Sequence, residues 1–147
     1  MLNKWLIRDA IQVQARAADW REAIKRAAEP LRKNDSVGEE YVEAMISNVE
    51  KLGPYIAIAP RIAIPHARPE QGVNRSGMSL LTLKEPVPFG DKPVQLLIVL
   101  AAADSDSHIG ALAELTELIS DEDNVETMIS AQSSEIIASL IERLFEN

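Results

Sequence analysis

The sequence predicts an α/β protein in which a sheet of about four or five strands is covered by helices on both faces. Segments with apolar residues at helical spacing alternate along the chain with short β-branched runs, which favours a sheet packed between helices. The longest apolar run, at residues 94–103, is nearly continuous, as is typical of a central strand buried on both sides. The 147 residues, 46% of them hydrophobic, fit a single domain, 1–147, with a sizeable core.

The first part of the chain predicts an edge strand and a helix. Residues 11–14 alternate apolar and polar side chains as a short edge strand does, and the segment before them is compatible with a helix. Asp19 is positioned to cap a helix over 20–33, with Glu22 at the third helical position as in a capping box. Pro30 falls late in this helix and is expected to kink or end it.

A second helix is predicted over 39–52. Tyr41 and Met45 fall on one face of this helix, and we interpret both as core residues rather than as part of a binding site. Gly53 and the proline after it are typical of a helix end. Tyr55 follows at the corner between this helix and the next strand, where it could help line a site, but we interpret it mainly as a packing residue.

The rest of the chain continues the alternation of strands and helices. The predicted elements are strands at 62–64, 78–83 and 94–103 and helices at 107–119, 121–129 and from 133 or 134 to 144. Residues 84–93 contain Pro86, Pro88 and Pro93 and predict a rigid connector, with a turn at Gly90-Asp91.

Composition excludes several classes of function. The net charge of -8 argues against nucleic acid or an anionic membrane surface as a general partner. The chain has no cysteine, which removes disulfides, a thiolate nucleophile and a cysteine-based metal site, and favours a cytoplasmic setting. The longest apolar run is about half of the roughly 20 residues that a membrane-spanning helix needs, so we expect a soluble protein.

His66 is the residue that stands out chemically. It lies in the stretch 59–70, Ala-Pro-Arg-Ile-Ala-Ile-Pro-His-Ala-Arg-Pro-Glu, directly after the predicted strand at 62–64. Pro65 removes a backbone donor and should end regular pairing, and Pro69 favours extended geometry before it. The imidazole is therefore expected to face solvent on a segment with little local freedom.

Histidine with nearby arginines suggests chemistry on phosphate. Neutral imidazole has one nucleophilic nitrogen, and its pKa is ordinarily near neutral pH. Arg61, Arg68 and Arg75 lie close in sequence, and guanidinium groups bind phosphate through paired hydrogen bonds. A structural histidine beside a turn, with solvated arginines, explains the local pattern about as well.

His108 is the second histidine of the chain and also follows an apolar strand. It lies at the predicted start of a helix after the run at 94–103, where free backbone donors favour an anion. Taken alone, it is more simply a first-turn residue that faces water. The occurrence of both histidines after apolar strands favours a shared site.

Two motifs resemble a known family. Ile-Ala-Ile-Pro-His-Ala-Arg-Pro-Glu at 62–70 and Val-Leu-Ala-Ala-Ala-Asp-Ser-Asp-Ser-His at 99–108, followed by a helix, resemble the mannitol/fructose-type IIA component of the bacterial sugar phosphotransferase system (PTS). Within this family, the motifs most resemble the ascorbate-type branch and its uncharacterised relatives. The resemblance extends from Asp19 to the C-terminal helix, and it implies a mixed β-sheet sandwiched between helices.

The resemblance also implies roles and partners. The Pro-His histidine of the family, here His66, accepts a phosphoryl group from the carrier HPr and passes it to a cysteine of a IIB component, which serves a membrane IIC permease. The second family histidine, here His108, stabilises the phosphorylated imidazole. Some members have an arginine on the preceding helix, where this chain has Val49 and Glu50, so Arg68 is our expected charge partner. No metal or organic cofactor is implied.

Two other functions remain open. A regulatory module of the same fold would sense phosphorylation and act by binding a partner without passing the phosphate on. A two-histidine hydrolase or metal site is disfavoured because no third ligand motif is evident. Retention of both histidines favours the phosphocarrier.

Overall fold

A computed structural model describes residues 2–104, 106 and 109–145. The strands are β1 (Ile11–Ala15), β2 (Arg61–Ala63), β3 (Gly77–Phe89) and β4 (Lys92–Ala101). The helices are α1 (Leu2–Trp5), α2 (Trp20–Lys33), α3 (Glu39–Leu52), α4 (Ile109–Ser120), α5 (Glu122–Ser130) and α6 (Ser134–Leu144), with short 3-10 turns at Arg8–Ala10 and Pro69–Gln71.

The four strands form one mixed sheet in the order β1-β3-β4-β2. The two long central strands, β3 and β4, are antiparallel to each other, and each has a short parallel strand on its outer side. The edge position of β1 and the central position of β4 agree with the alternating and continuous apolar patterns of their sequences.

Helices cover both faces of the sheet, as predicted. Leu81 and Leu97 point to the face covered by α2 and α3, where they pack with Ile24 and Met45. The intervening side chains of β3 and β4 pack on the other face against α1, α4, α5 and α6. Because successive strand residues point to opposite faces, the continuous apolar runs supply two core layers at once.

Helix α2 begins where the sequence predicts but continues past Pro30. Asp19 Oδ1 accepts a hydrogen bond from the Glu22 N–H at 2.9 Å, which caps the helix. The carbonyl that Pro30 leaves without its usual donor is that of Arg26. Gln12 Nε2 donates to this carbonyl at 2.7 Å, so the helix extends to Lys33.

The prediction of a rigid connector at 84–93 is wrong. β3 continues to Phe89, and a two-residue turn at Gly90-Asp91 leads directly into β4. Pro88 lies opposite Pro93, one pair before the residues that flank the turn, Phe89 and Lys92. Residue pairs at such a position in an antiparallel hairpin exchange no backbone hydrogen bonds. The prolines therefore fit the hairpin, and the pairing is irregular only between Thr82 and Val87.

No helix within the described part of the chain is long and apolar enough to span a membrane.

Candidate functional site

His66 is exposed just past the end of β2. Its Nδ1 atom lies 2.8 Å from the backbone carbonyl oxygen of Ile64. A carbonyl only accepts hydrogen bonds, so this contact assigns the proton of the neutral ring to Nδ1. Nε2 then holds the lone pair, and this nitrogen is the nucleophile of the neutral ring.

The backbone on both sides of His66 is held by neighbouring elements. The Ile64 N–H donates to the Ile56 carbonyl at 2.8 Å, and the Leu100 N–H donates to the Pro65 carbonyl at 3.1 Å. The histidine is therefore presented on a fixed segment tied to β4 and to the segment before β2.

The side chain of Tyr41 in α3 also forms hydrogen bonds with the segment that carries His66. The Ala67 N–H donates to Tyr41 Oη at 3.0 Å, and the Tyr41 hydroxyl lies 2.9 Å from the Leu100 carbonyl oxygen and 3.2 Å from that of Ala67. Burial raises the pKa of the Tyr41 hydroxyl, so it stays protonated and serves as both donor and acceptor. Tyr41 is a core residue, as predicted, but its positioning of the His66 segment was missed. The available signal was a hydroxyl at a core position, because a buried tyrosine hydroxyl needs a partner.

Tyr55 lies at the site, and its interpretation mainly as a packing residue is corrected. Its side chain is 40% exposed, and its ring centroid is 5.5 Å from that of His66, with the two rings nearly perpendicular. Its hydroxyl reaches the His66 carbonyl oxygen at 3.5 Å. The chain turns back after α3, which brings Tyr55 alongside a residue 11 positions later.

The guanidinium groups of the three nearby arginines differ in their interaction partners. Arg61 pairs with Glu126 of α5 at 2.8 Å, and the Arg75 guanidinium donates to the Asn34 carbonyl. Arg68 is exposed and makes no ion pair with any residue that the structure describes. Of the three candidates, Arg68 is therefore the one whose guanidinium has no ion-pair partner among the described residues.

His108 and Ser107, which the sequence analysis places at the second half of the site, lie outside the described residues. The strands around the site nonetheless show at which edge of the sheet this part of the chain begins. β2 and β4 are parallel neighbours, so the chain leaves both strands at the same edge of the sheet. His66 follows β2 at this edge, and the segment that leads to α4 follows β4.

The site is an exposed surface. Leu52, Tyr55 and Ile58, which are 71%, 40% and 50% exposed, form an apolar stretch before β2. Five surface clefts, with volumes of about 340 to 710 Å³, are lined by residues other than His66 and Arg68. An exposed imidazole beside the exposed Tyr55 ring suits a macromolecular partner better than an enclosed small substrate.

Among the described residues, no group of three histidine or acidic side chains is arranged to hold a metal ion.

Comparisons with known proteins agree with the motifs. Residues 5–144 match the family described as "Phosphoenolpyruvate-dependent sugar phosphotransferase system, EIIA 2". The chain is 40% identical over 144 residues to the mannitol-specific cryptic phosphotransferase enzyme IIA component of Escherichia coli K12, covering 97% of this chain and 98% of that protein. It is 38% identical to the ascorbate-specific PTS system EIIA component of the same strain over 139 residues, covering 91% of this chain and 90% of that protein.

A solved structure extends the comparison to a complex. The complex of enzyme IIA mannitol with phosphorylated enzyme IIB mannitol from Escherichia coli contains a chain with a TM-score of 0.79 and 31% identity, covering 92% of this chain and 95% of that chain. The family predicted from the Pro-His motif is thereby confirmed. This chain belongs to the EIIA 2 family of the phosphoenolpyruvate-dependent sugar phosphotransferase system.

Proposed function

We propose that this chain is a histidine phosphocarrier that takes a phosphoryl group from phospho-HPr and passes it to a cysteine of a cognate IIB component. Nε2 of His66 attacks the phosphorus of the donor phosphohistidine, so that a new N–P bond forms while the N–P bond of the donor breaks. The thiolate of IIB then attacks the same phosphorus, an S–P bond forms, and His66 regains its lone pair. Through IIB the phosphate reaches a sugar at a membrane IIC permease.

The observation that carries this proposal is the 2.8 Å contact between His66 Nδ1 and the Ile64 carbonyl. It leaves Nε2 unprotonated and available for attack. When Nε2 carries the phosphoryl group and Nδ1 keeps its proton, the ring gains positive charge, and the carbonyl dipole stabilises that charge. A cationic ring is also a good leaving group, which favours onward transfer over storage.

Rigid presentation supports transfer between two proteins. Phosphoryl transfer depends mainly on aligning the attacking and leaving atoms and on stabilising charge. Hydrogen bonds with Ile56, Leu100 and Tyr41 fix the backbone on both sides of His66 before a partner binds. Less conformational entropy is therefore lost when the partner docks.

Two further residues complete the proposed site. Arg68 would balance the charge of the phosphoryl group, because Arg61 and Arg75 are engaged with Glu126 and Asn34. His108 would hydrogen-bond the phosphorylated ring or its phosphate. The parallel pairing of β2 with β4, which directs both following segments to one edge, supports this placement.

The exposed ring of Tyr55 beside His66 supports a protein partner at this face. A IIA relative has been solved in complex with its phosphorylated IIB, which supports IIB as the acceptor here. We therefore expect HPr and IIB to use the same face in turn, because both must bring a phosphorus atom to His66 Nε2.

The test is a reconstituted transfer from phosphoenolpyruvate through enzyme I and HPr, followed by mass spectrometry of acid-labile phosphate. We expect one phosphoryl group on His66 and no labelling of His66→Ala. Isolated phosphoprotein is then mixed with the cognate IIB, whose cysteine should take up the phosphate. Stoichiometric labelling of His66→Ala would contradict the assignment of the nucleophile. A stable phosphoprotein that gives nothing to IIB would instead favour the regulatory module.

A further inference from the structure

One of the five surface clefts lies between the N-terminal segment, the end of α2 and the start of β3. Its volume is about 710 Å³, within the roughly 300 to 1,000 Å³ of small-molecule sites. Its apolar wall includes Trp5, Ile7, Leu31 and Met78. The cleft can therefore take a molecule with a carbon body.

The charged residues of the cleft are mostly basic, in a chain whose net charge is -8. Lys4, Lys33 and Arg75 line it, against one acidic residue, Asp9. Neither lysine forms an ion pair within the ranges that the structure describes. Arg75 is held in place by its hydrogen bond to the Asn34 carbonyl, and that bond leaves its charge unneutralised. The cleft thus has an excess of positive charge.

The Ser36 hydroxyl is an independent sign of a ligand. Ser36 lines the cleft and is only 5% exposed, yet its hydroxyl forms no hydrogen bond with any described residue. Buried polar groups are nearly always hydrogen-bonded, so an unpartnered one needs an explanation. Gly77 borders the hydroxyl, since a Cβ at this position would lie 3.8 Å from Ser36 Oγ, in ordinary van der Waals contact. The hydroxyl is thus placed to bind something that enters the cleft.

We propose that this cleft binds a small organic phosphate. A phosphate monoester carries a charge of about -1.5 to -2 and three strong acceptor oxygens, which matches three cations and one free hydroxyl donor better than a single carboxylate does. The phosphate contacts Lys4, Lys33 and Arg75 and accepts a hydrogen bond from Ser36. The carbon body packs against Trp5.

The cleft is also connected to the segment that follows β4. Ser76 lines the cleft, and its hydroxyl accepts a hydrogen bond from the Ala103 N–H at 2.7 Å. Three residues earlier, the Leu100 N–H donates to the Pro65 carbonyl beside His66. A ligand in the cleft would therefore lie beside a segment that reaches the edge of the sheet where His66 lies. The binding site itself does not depend on the role proposed for His66.

Nitrogen-15 NMR titration of the full chain at constant ionic strength tests the proposal, with glucose 6-phosphate and inorganic phosphate as probes and glucose as the uncharged control. We expect saturable shifts of the Lys4, Asn34 and Arg75 amides and of the Trp5 indole with glucose 6-phosphate. The Ala103 amide should shift with the same dependence on concentration. Glucose should cause no saturable shift.

Variants separate the cleft from general charge effects. The double variant Lys4→Gln, Lys33→Gln should bind glucose 6-phosphate about tenfold more weakly or worse, because two charge-assisted contacts are lost. Lys51→Gln removes an exposed charge on α3, outside the cleft, and should bind like the wild type. Ser36→Ala should weaken binding without lowering thermal stability, since its hydroxyl has no hydrogen bond to a described residue.

His66→Ala should bind glucose 6-phosphate like the wild type, so that failure of the phosphocarrier proposal and failure of this one are told apart. Shifts that stay linear with both phosphate probes would overturn the proposal. Wild-type affinity in the double lysine variant, or equal saturable shifts with glucose, would overturn it as well.

Discussion

The hydroxyl of Tyr41 accepts a hydrogen bond from the N–H of Ala67, the residue directly after His66, at 3.0 Å. The same hydroxyl lies 2.9 Å from the Leu100 carbonyl of β4. One buried side chain of α3 thus connects the candidate nucleophile's segment to the central strand.

Tyr41→Phe should loosen the His66 segment while keeping the aromatic core. We expect a loss of about 1 to 3 kcal/mol in the free energy of unfolding, because buried backbone groups lose their partner. Phosphoryl uptake from phospho-HPr should slow as well, since the segment that presents His66 is no longer held. Urea denaturation and a labelling time course measure the two effects. Tyr55→Phe, at an exposed tyrosine, serves as the control for stability, and a wild-type uptake rate in Tyr41→Phe would show that the bond is only structural.

Tyr41 should also make stability depend on alkaline pH. Burial raises the pKa of its hydroxyl in the folded protein above the usual value of about 10. The unfolded chain therefore loses this proton first as pH rises, and the stability that the neutral tyrosine contributes is complete below about pH 10 and is lost as pH rises through the folded pKa. Between pH 8 and pH 11, wild type should lose more unfolding free energy than Tyr41→Phe. Equal losses in the two proteins would contradict this reading.

Arg68→Ala should slow phosphotransfer by roughly ten- to a hundredfold without changing the fold, because a charge-assisted hydrogen bond contributes about 1.5 to 3 kcal/mol. Arg68→Lys should restore only part of the rate, since it keeps the charge but loses the planar fork. Arg61→Ala and Arg75→Ala are the matched controls, because their side chains are bound to Glu126 and Asn34. If Arg68→Ala matches the wild type while one of the others fails, the charge partner has been misplaced. If all three match the wild type, none of these three arginines is required.

His108→Ala should leave the protein folded and able to accept phosphate but should impair its transfer to IIB. The physical reason is that a residue which hydrogen-bonds the phosphorylated ring acts after the attack has taken place. Rates of uptake and of transfer to the cognate IIB, measured separately, check this. A wild-type transfer rate would show that His108 has no part in the reaction.

The sequence predicted the layers of the fold well because the spacing of apolar residues along the chain indicates which side chains are buried. The helical stripe of α3 and the continuous apolar run of β4 each depend only on neighbours in the chain. The end of β3 was missed because three prolines were interpreted as breakers. Val87 and Phe89 are nevertheless buried on alternate positions, which is a strand pattern.

The site was predictable only in part, because its contacts join distant residues. The Pro-His motif predicts His66 as the phosphorylated residue, but the hydroxyl of Tyr41 binds backbone groups 26 and 59 residues away. Likewise, the difference between Arg61 and Arg68 depends on Glu126, 65 residues from Arg61. Local patterns do not contain such information, so the role of Tyr41 and the contact of Tyr55 with His66 appeared only in the structure.

The most direct test of the central claim is nitrogen-15 NMR of the imidazole of His66 before and after phosphorylation by phospho-HPr. The contact between Nδ1 and the Ile64 carbonyl predicts a free protein with the proton on Nδ1 and a phosphoprotein with the phosphoryl group on Nε2 and Nδ1 still protonated. A phosphoryl group on Nδ1, or on any residue other than His66, would contradict the account.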